Sequence, residues 1–178
     1  MPPLTPPDPP LSDGVVTLRP HAPEDRETVV AAFADRDIAR WIRVPDPYGP
    51  ADYDAFLARS RSELEAGRSL NLLIVAAGER VVGGVGLHEA HGERPDIGYW
   101  SAPHARGRGY VTRAVRLMRD HALALGYAHV DLLIHADNAQ SQRVARAAGF
   151  ERTGELTTCP RDACRGAEYL RFTWPPEG

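Results

Sequence analysis

Two glycines bracket an arginine in Gly107-Arg108-Gly109, with His104 and Arg106 just before them and Tyr110, Val111 and Thr112 just after, where an apolar-periodic stretch begins. Glycine lets backbone approach a ligand closely, the first turn of a helix leaves N–H groups without partners, and the helix dipole adds partial positive charge there. A phosphate or pyrophosphate is the group such a turn would hold, and Arg106 and Arg108 add full charges. The same residues also read as a glycine-containing surface turn with solvated arginines. Downstream, Asn138 and Ser141 open a short helix. Both residue types cap helices, and both can also turn an amide or a hydroxyl toward a ligand. Arg143 on the same segment can reach either a phosphate or solvent. A dinucleotide fingerprint is the wrong shape for this turn. Its third glycine position is Thr112, and Pro103 separates the preceding strand from the turn, whereas a Rossmann turn follows its strand directly.

These groups need a scaffold, and the hydrophobic periodicity supplies one. Val15 to Arg19 reads as a strand ended by Pro20; Pro23-Glu24-Asp25 places acids at the start of a helix reaching Phe33. Ile38 to Ile42 continues as a helical turn, and Tyr53, Phe56, Leu57 and Leu64 mark one face of a helix ending at Gly67. Leu70 to Ala77, Val81 to His88 and Asp96 to Ser101 read as an antiparallel meander. From Val111, apolar residues at Ala114, Val115, Met118, Ala122 and Leu125 share one helical face, with Gly126 as the stop. His129 to His135 is a strand and Ala139 to Ala148 a short helix, and late strands lie near Glu151 to Thr157 and Glu168 to Trp174.

Composition bounds the class. The chain has 178 residues, 43% hydrophobic and 25% charged, with a formal net charge of −3. That suits one globular domain over 14–178, behind a Pro-rich tail over 1–13 too poor in apolar residues to offset its ordering entropy. A net negative charge disfavours a sequence-independent grip on nucleic acid, and no apolar run is long enough to span a membrane. With no signal-type start, the expected compartment is the cytoplasm. Cys159 and Cys164 flank a proline without a matching histidine cluster, so neither a metal nor a structural disulfide is expected.

Asp96-Ile97-Gly98-Tyr99-Trp100 followed by His104-Ala105-Arg106-Gly107-Arg108-Gly109 resembles the signature of the GNAT superfamily, in particular its RimJ/RimL-like branch of ribosomal-protein N-terminal acetyltransferases. Asn138-Ala139-Gln140-Ser141 through Gly149-Phe150 and Gly83-Gly84-Val85-Gly86-Leu87 resemble two further segments of that family, in the expected order. Two positions depart from the pattern: His104 stands for arginine or glutamine, and Asp96 for glutamate. The resemblance implies an α/β (α+β) GNAT fold, a mixed, mostly antiparallel sheet of about seven strands flanked by about four helices. It also implies that the sheet splays at an acetyl-CoA site. Trp100, Ser101, His104, Arg106, Gly107, Arg108, Gly109, Tyr110, Val111, Thr112, Asn138, Ser141 and Arg143 would then contact acetyl-CoA, with no metal needed.

The implied reaction is acetyl transfer to a primary amine, a protein N-terminus or a small molecule, by a monomer or homodimer. Aminolysis needs a neutral amine, so a base must take a proton. On the family analogy Asp96 is the first candidate, directly or through water. Its other reading is a strand-end acid paired with an arginine, and His88 and His135 are rival bases. A backbone N–H at Trp100 or Ser101, freed by a β-bulge, would face the developing oxyanion. The tyrosine many relatives place after the asparagine is Ala145 here, which leaves Ser141 as the hydroxyl near sulfur. Trp41, Tyr48, Tyr53 and Phe56 read either as core or as acceptor wall. A catalytically inactive acetyl-CoA-binding sensor of the same fold is the alternative.

Overall fold

The computed structural model describes residues 4–42, 44–78, 80–90, 94–156 and 168–175. Among them one eight-stranded sheet runs in the order β1-β2-β3-β4-β5-β6-β8-β7. Its strands are β1 (Leu11–Ser12), β2 (Val16–Pro20), β3 (Ser69–Ala76), β4 (Arg80–Ala90), β5 (Arg94–Ser101), β6 (Val130–His135), β7 (Glu151–Leu156) and β8 (Tyr169–Trp174). Five helices accompany it: α1 (Arg26–Phe33), α2 (Arg36–Trp41), α3 (Pro50–Glu65), α4 (Tyr110–Ala124) and α5 (Ala139–Ala147). None of these helices is long and apolar enough to cross a membrane.

β3 is a nearly continuous apolar run because both of its faces are covered. Leu70, Leu72 and Ile74 share the large core with Val111, Ala114, Val115, Met118 and Ala122 of α4. Leu73, one residue out of phase, packs instead with Val29 of α1 and Tyr53 of α3. The helical stripe from Val111 thus lies on one face of the sheet and the early helices cover the other, as the two periodicities require. Burial of each large apolar side chain in this sandwich contributes roughly 1.5 to 3 kcal/mol.

The ladder is antiparallel except at β5 and β6. β4 and β5 pair without interruption from Gly83↔Ser101 to Ala90↔Arg94. β5 and β6 are parallel and share a single bridge, Asp96↔Asp131, beyond which they part. β6 instead pairs along its length with β8, from Val130↔Trp174 to His135↔Tyr169. Among the described residues, the edge of β5 that faces away from β4 therefore has no strand partner from Ile97 to Ser101. This is the splay the resemblance implied, but without the expected bulge: the β4–β5 register is regular, and it is strand divergence that frees the edge.

Within the tail expected over 1–13, residues from Leu4 on make contacts with the fold. Leu4 is only 3% exposed and belongs to the large core. Leu11 and Ser12 pair with Leu18 and Thr17, adding an eighth strand to the seven expected. Asp13 accepts from the backbone N–H groups of Val15 and Val16 and meets Arg113 of α4 at 2.7 Å. Too few apolar residues to form a core of its own is not too few to join an existing one. The expected strand end at Thr157 and both cysteines lie outside the described residues.

Candidate functional site

Where β5 and β6 part, a cavity of about 610 Å³ opens beneath α1, α2 and α3. Its walls include Tyr99 and Trp100 of β5, Leu132 to His135 of β6, and Asn138 and Ser141 at the start of α5. Gly84, Gly86 and His88 of β4 line it from the sheet, and Phe33, Trp41, Tyr48 and Phe56 from the helical cover.

The glycines of β4 make room for Trp100 and His88, and Gly86 also for the Asn71 amide. A Cβ on Gly84 would stand 2.3 Å from Trp100 Nε1, so the indole lies directly over that backbone. Phe33 meets the same indole edge-on at 5.1 Å and is itself 4.8 Å from Tyr48, so the aromatics of the cover hold Trp100 down. A Cβ on Gly86 would come within 2.7 Å of His88 Nε2, and one on Gly98 within 3.5 Å. The His88 ring is therefore seated over two glycines from neighbouring strands, at the cavity surface.

Asp96 stands opposite His88 in the β4–β5 ladder and opposite Asp131 in the single β5–β6 bridge. It is 1% exposed and does not line the cavity. Asp131 beside it accepts from the Thr173 hydroxyl at 2.7 Å and meets Arg171 at 3.4 Å. The narrow end of the splay is thus a buried acidic seam behind His88. His135, the other rival, packs against Trp41 at 5.2 Å and Tyr169 at 5.5 Å. Its Nδ1 accepts from the Asp137 backbone N–H at 3.1 Å. That bond places the proton of the neutral ring on Nε2 and leaves no free lone pair.

On the opposite wall Asn138 and Ser141 do what capping residues do: Asn138 Oδ1 accepts from the Ser141 N–H at 3.0 Å. The Ser141 hydroxyl meets the Tyr99 hydroxyl at 2.5 Å, and Tyr99 Oη also donates to the Ser141 carbonyl at 3.2 Å. Burial pushes the Tyr99 phenol up to about 12.

The glycine turn lies beside the cavity without lining it. Gly107 and Gly109 have φ of +75° and +76°, and among the described residues nothing beyond the adjoining residues lies within 4 Å of a Cβ built on either. Gly109 is the N-cap of α4 and supplies no side-chain cap, so the first N–H groups of that helix point outward. Pro103, His104 and Ala105 form one 3₁₀ turn before it. Among the described residues no carboxylate meets Arg108 or Arg143, and both are exposed. Arg106, expected to reach a phosphate, also has protein partners. Its guanidinium is held by Asp35 at 2.5 Å and Asp37 at 3.2 Å, at the start of α2. Val111 is buried in the core, so only its backbone can serve a ligand. Ser101 lies off the cavity, its hydroxyl near the Ala102 carbonyl at 3.4 Å.

Of the aromatics with two readings, Trp41, Tyr48 and Phe56 line the cavity, whereas Tyr53 is fully buried and donates to the Ala22 carbonyl. Sequence reasoning passed over Tyr99 and His21 as site residues. Tyr99 was legible only as one letter of a motif, and its alternation with Trp100 on β5 was the signal that the two face opposite sides. His21 lines the cavity with its ring 4.9 Å from Phe56, and burial pulls its pKa down to about 4. No cluster of metal-binding side chains exists among the described residues.

A family model described as an acetyltransferase (GNAT) domain matches residues 16–151. A search of curated proteins by sequence gave no match. Among solved structures, RimJ of Mycobacterium smegmatis in complex with CoA-disulfide superposes with a TM-score of 0.79 at 24% identity, over 90% of this chain and 81% of that one. The microcin C7 self-immunity acetyltransferase MccE, in complex with acetyl-CoA and AMP, gives 0.77 at 19% identity over 92% and 97% of the two chains. The ribosomal-protein-S5-alanine acetyltransferase of Vibrio fischeri gives 0.74 at 17% identity over 94% and 99%. At these identities the likeness is one of fold.

Proposed function

This chain belongs to the GNAT acetyltransferase family, and we propose that it moves the acetyl group of acetyl-CoA to a primary amine, a protein N-terminus or a small molecule, as a monomer or homodimer. The observation that carries this reading is the divergence of β5 and β6 beyond Asp96↔Asp131 into a cavity with His88 on one side and Ser141 on the other. That two structural neighbours hold CoA-disulfide and acetyl-CoA supports the choice of cosubstrate.

The residues present fit such a ligand. The open space at Gly107 and Gly109, the outward N–H groups of Tyr110, Val111 and Thr112, and the charges of Arg108 and Arg143, which meet no carboxylate among the described residues, suit a pyrophosphate. His104 lies at the same rim. With its Oδ1 capping α5, Asn138 keeps its amide hydrogens for a pantetheine carbonyl. When bound, acetyl-CoA supplies an activated thioester carbonyl. The unpaired edge of β5 offers the backbone N–H of Ser101, which alternates with the β4-facing N–H groups of Trp100 and Ala102, to the charge that develops on its oxygen.

We assign the base to His88 and place Asp96 behind it. His88 reaches the cavity and Asp96 does not, and an imidazole titrates nearest neutrality of the common bases. A carboxylate at the opposed strand position favours the imidazolium that forms when the amine is deprotonated. Once its ammonium form has lost a proton to solvent, the amine nitrogen bonds to the carbonyl carbon and gives its second proton to His88, the carbon–sulfur bond breaks, and the Ser141 hydroxyl would donate to the departing thiolate.

The test is calorimetric titration with acetyl-CoA, with NAD as control, followed by thiol release across a panel of amines and N-terminal peptides. Micromolar binding with amine-dependent thiol release is the expected result. Binding without release from any acceptor would favour a sensor, and no binding would remove the proposal.

A further inference from the structure

We infer that Tyr99 is a positioning residue for the reaction, its hydroxyl directing the Ser141 hydroxyl hydrogen toward the thioester sulfur; the inference rests on the transfer reading above. Tyr99 projects from β5 and Ser141 from the first turn of α5, so their bond crosses the slit between the two parts of the sheet. Ser141 is already fixed through its backbone by Asn138. What the phenol can still set is the rotation of the serine hydroxyl.

The phenol has one hydrogen and two acceptors within reach, the Ser141 hydroxyl at 2.5 Å and the Ser141 carbonyl at 3.2 Å. In one arrangement it donates to the carbonyl and receives from the serine, and both hydrogens are used within the pair. In the other it donates to the serine hydroxyl oxygen, and the serine hydrogen is released into the cavity. Sulfur that gains negative charge accepts a hydrogen bond far better than a neutral phenol does. The second arrangement therefore prevails as the carbon–sulfur bond breaks. The device donates hydrogen bonds and does not surrender a proton. A phenol pushed up to about 12 by burial is a poor acid for an alkyl thiolate, since a thiol such as that of cysteine titrates at about 8.5. The amine's proton leaves on the base, and the sulfur departs as a hydrogen-bonded thiolate.

A tyrosine that merely fastened α5 to β5 would show the same contacts, so the readout must be electronic. Thiolate absorbance of CoA bound to the full chain gives the ionisation of the bound thiol, with no acceptor required. Ser141→Ala is expected to raise that pKa by about one unit, or tenfold less thiolate at fixed pH. Tyr99→Phe should raise it comparably, and the double variant no further than either single one. Replacement of Tyr99 by fluorotyrosine, a stronger donor of nearly the same shape, should lower it, which covers the case of a poorly folded phenylalanine variant. With the best acceptor, Tyr99→Phe should lower kcat about tenfold while KM for acetyl-CoA stays within about twofold. An unmoved thiol in both Tyr99 variants, or additive shifts in the double variant, overturns the inference and leaves the transfer reading standing. Failure of the unmodified chain to bind CoA overturns both.

Discussion

The Arg106 guanidinium lies 2.5 Å from the Asp35 carboxylate, which at the same time accepts from the backbone N–H groups of Asp37 and Ile38 at the start of α2. One aspartate thus caps a helix of the cover and holds the turn that precedes α4. The arginine in return pulls the Asp35 pKa down. A charge committed this way is a fastening between the two sides of the site.

Arg106→Gln should therefore leave acetyl-CoA affinity within about threefold and cost about 1 kcal/mol or less, the pair being partly solvated. Arg108→Gln and Arg143→Gln should each weaken binding several-fold without loss of stability. Asp35→Ala, which removes both cap and partner, should cost roughly 1 to 2 kcal/mol. Calorimetry on the four variants, paired with thermal melts, separates the two kinds of arginine.

His88→Gln should lower kcat/KM about 100-fold or more, in the range general-base removal produces. Asp96→Asn, which acts through His88 on this reading, should cost less. The reverse ranking, with Asp96→Asn the more damaging and His88→Gln mild, would return the role to the carboxylate.

Gly86→Ala should displace the His88 ring and the Asn71 amide, since its Cβ would fall 2.7 Å from Nε2 and 2.6 Å from Oδ1. Overpacking of this kind costs about 1 to 3 kcal/mol, and activity should fall with the histidine. Gly84→Ala should instead shift Trp100. Tryptophan fluorescence and thiol release, measured on both, tell the two displacements apart.

His21 sets a pH dependence of stability. Its folded pKa of about 4 lies below the unfolded value near 6.5, so the unfolded chain binds more protons between them. Stability should be full above about pH 6.5, fall as pH drops toward about 4, and level off for this group below that. The loss is on the order of 1 to 3 kcal/mol. Denaturant melts between pH 7 and 4.5 should show it in the wild type and a smaller loss in His21→Asn. Asp13, held at about 2 by its hydrogen bonds and Arg113 despite some burial, acts lower: its contribution is present above about pH 4 and fades below that.

What could be read from the sequence followed local rules. The α4 stripe from Val111 to Ala122, the hairpins, and the glycine turn with its helix start depend on periodicity and backbone freedom within a few residues. What escaped depends on partners distant in sequence. That Arg106 also holds Asp35, some seventy residues earlier, could not be read from the turn alone. Asp96 looked like a cavity acid until its place in the ladder put it beside Asp131 and beneath the surface. Tyr99 gained a role only once Ser141 was brought opposite it. Leu4 was unreadable for a related reason: one apolar residue among prolines is a core residue only if a core is waiting for it.

The slit in the sheet coincides with a division of the chain. Every strand up to Ser101 lies on one side of it and every strand from Val130 on the other, with a single backbone bridge between. Ladder hydrogen bonds therefore make each side stiff within itself while doing little to fix the distance between them. That spacing is left to side chains packed beneath α4 and α5 and to the Tyr99–Ser141 contact. Core substitutions far from any ligand thus gain a lever on reactivity: a methylene added or removed under α4 resets the gauge of the slit, and with it the gap an acyl donor and an amine must share.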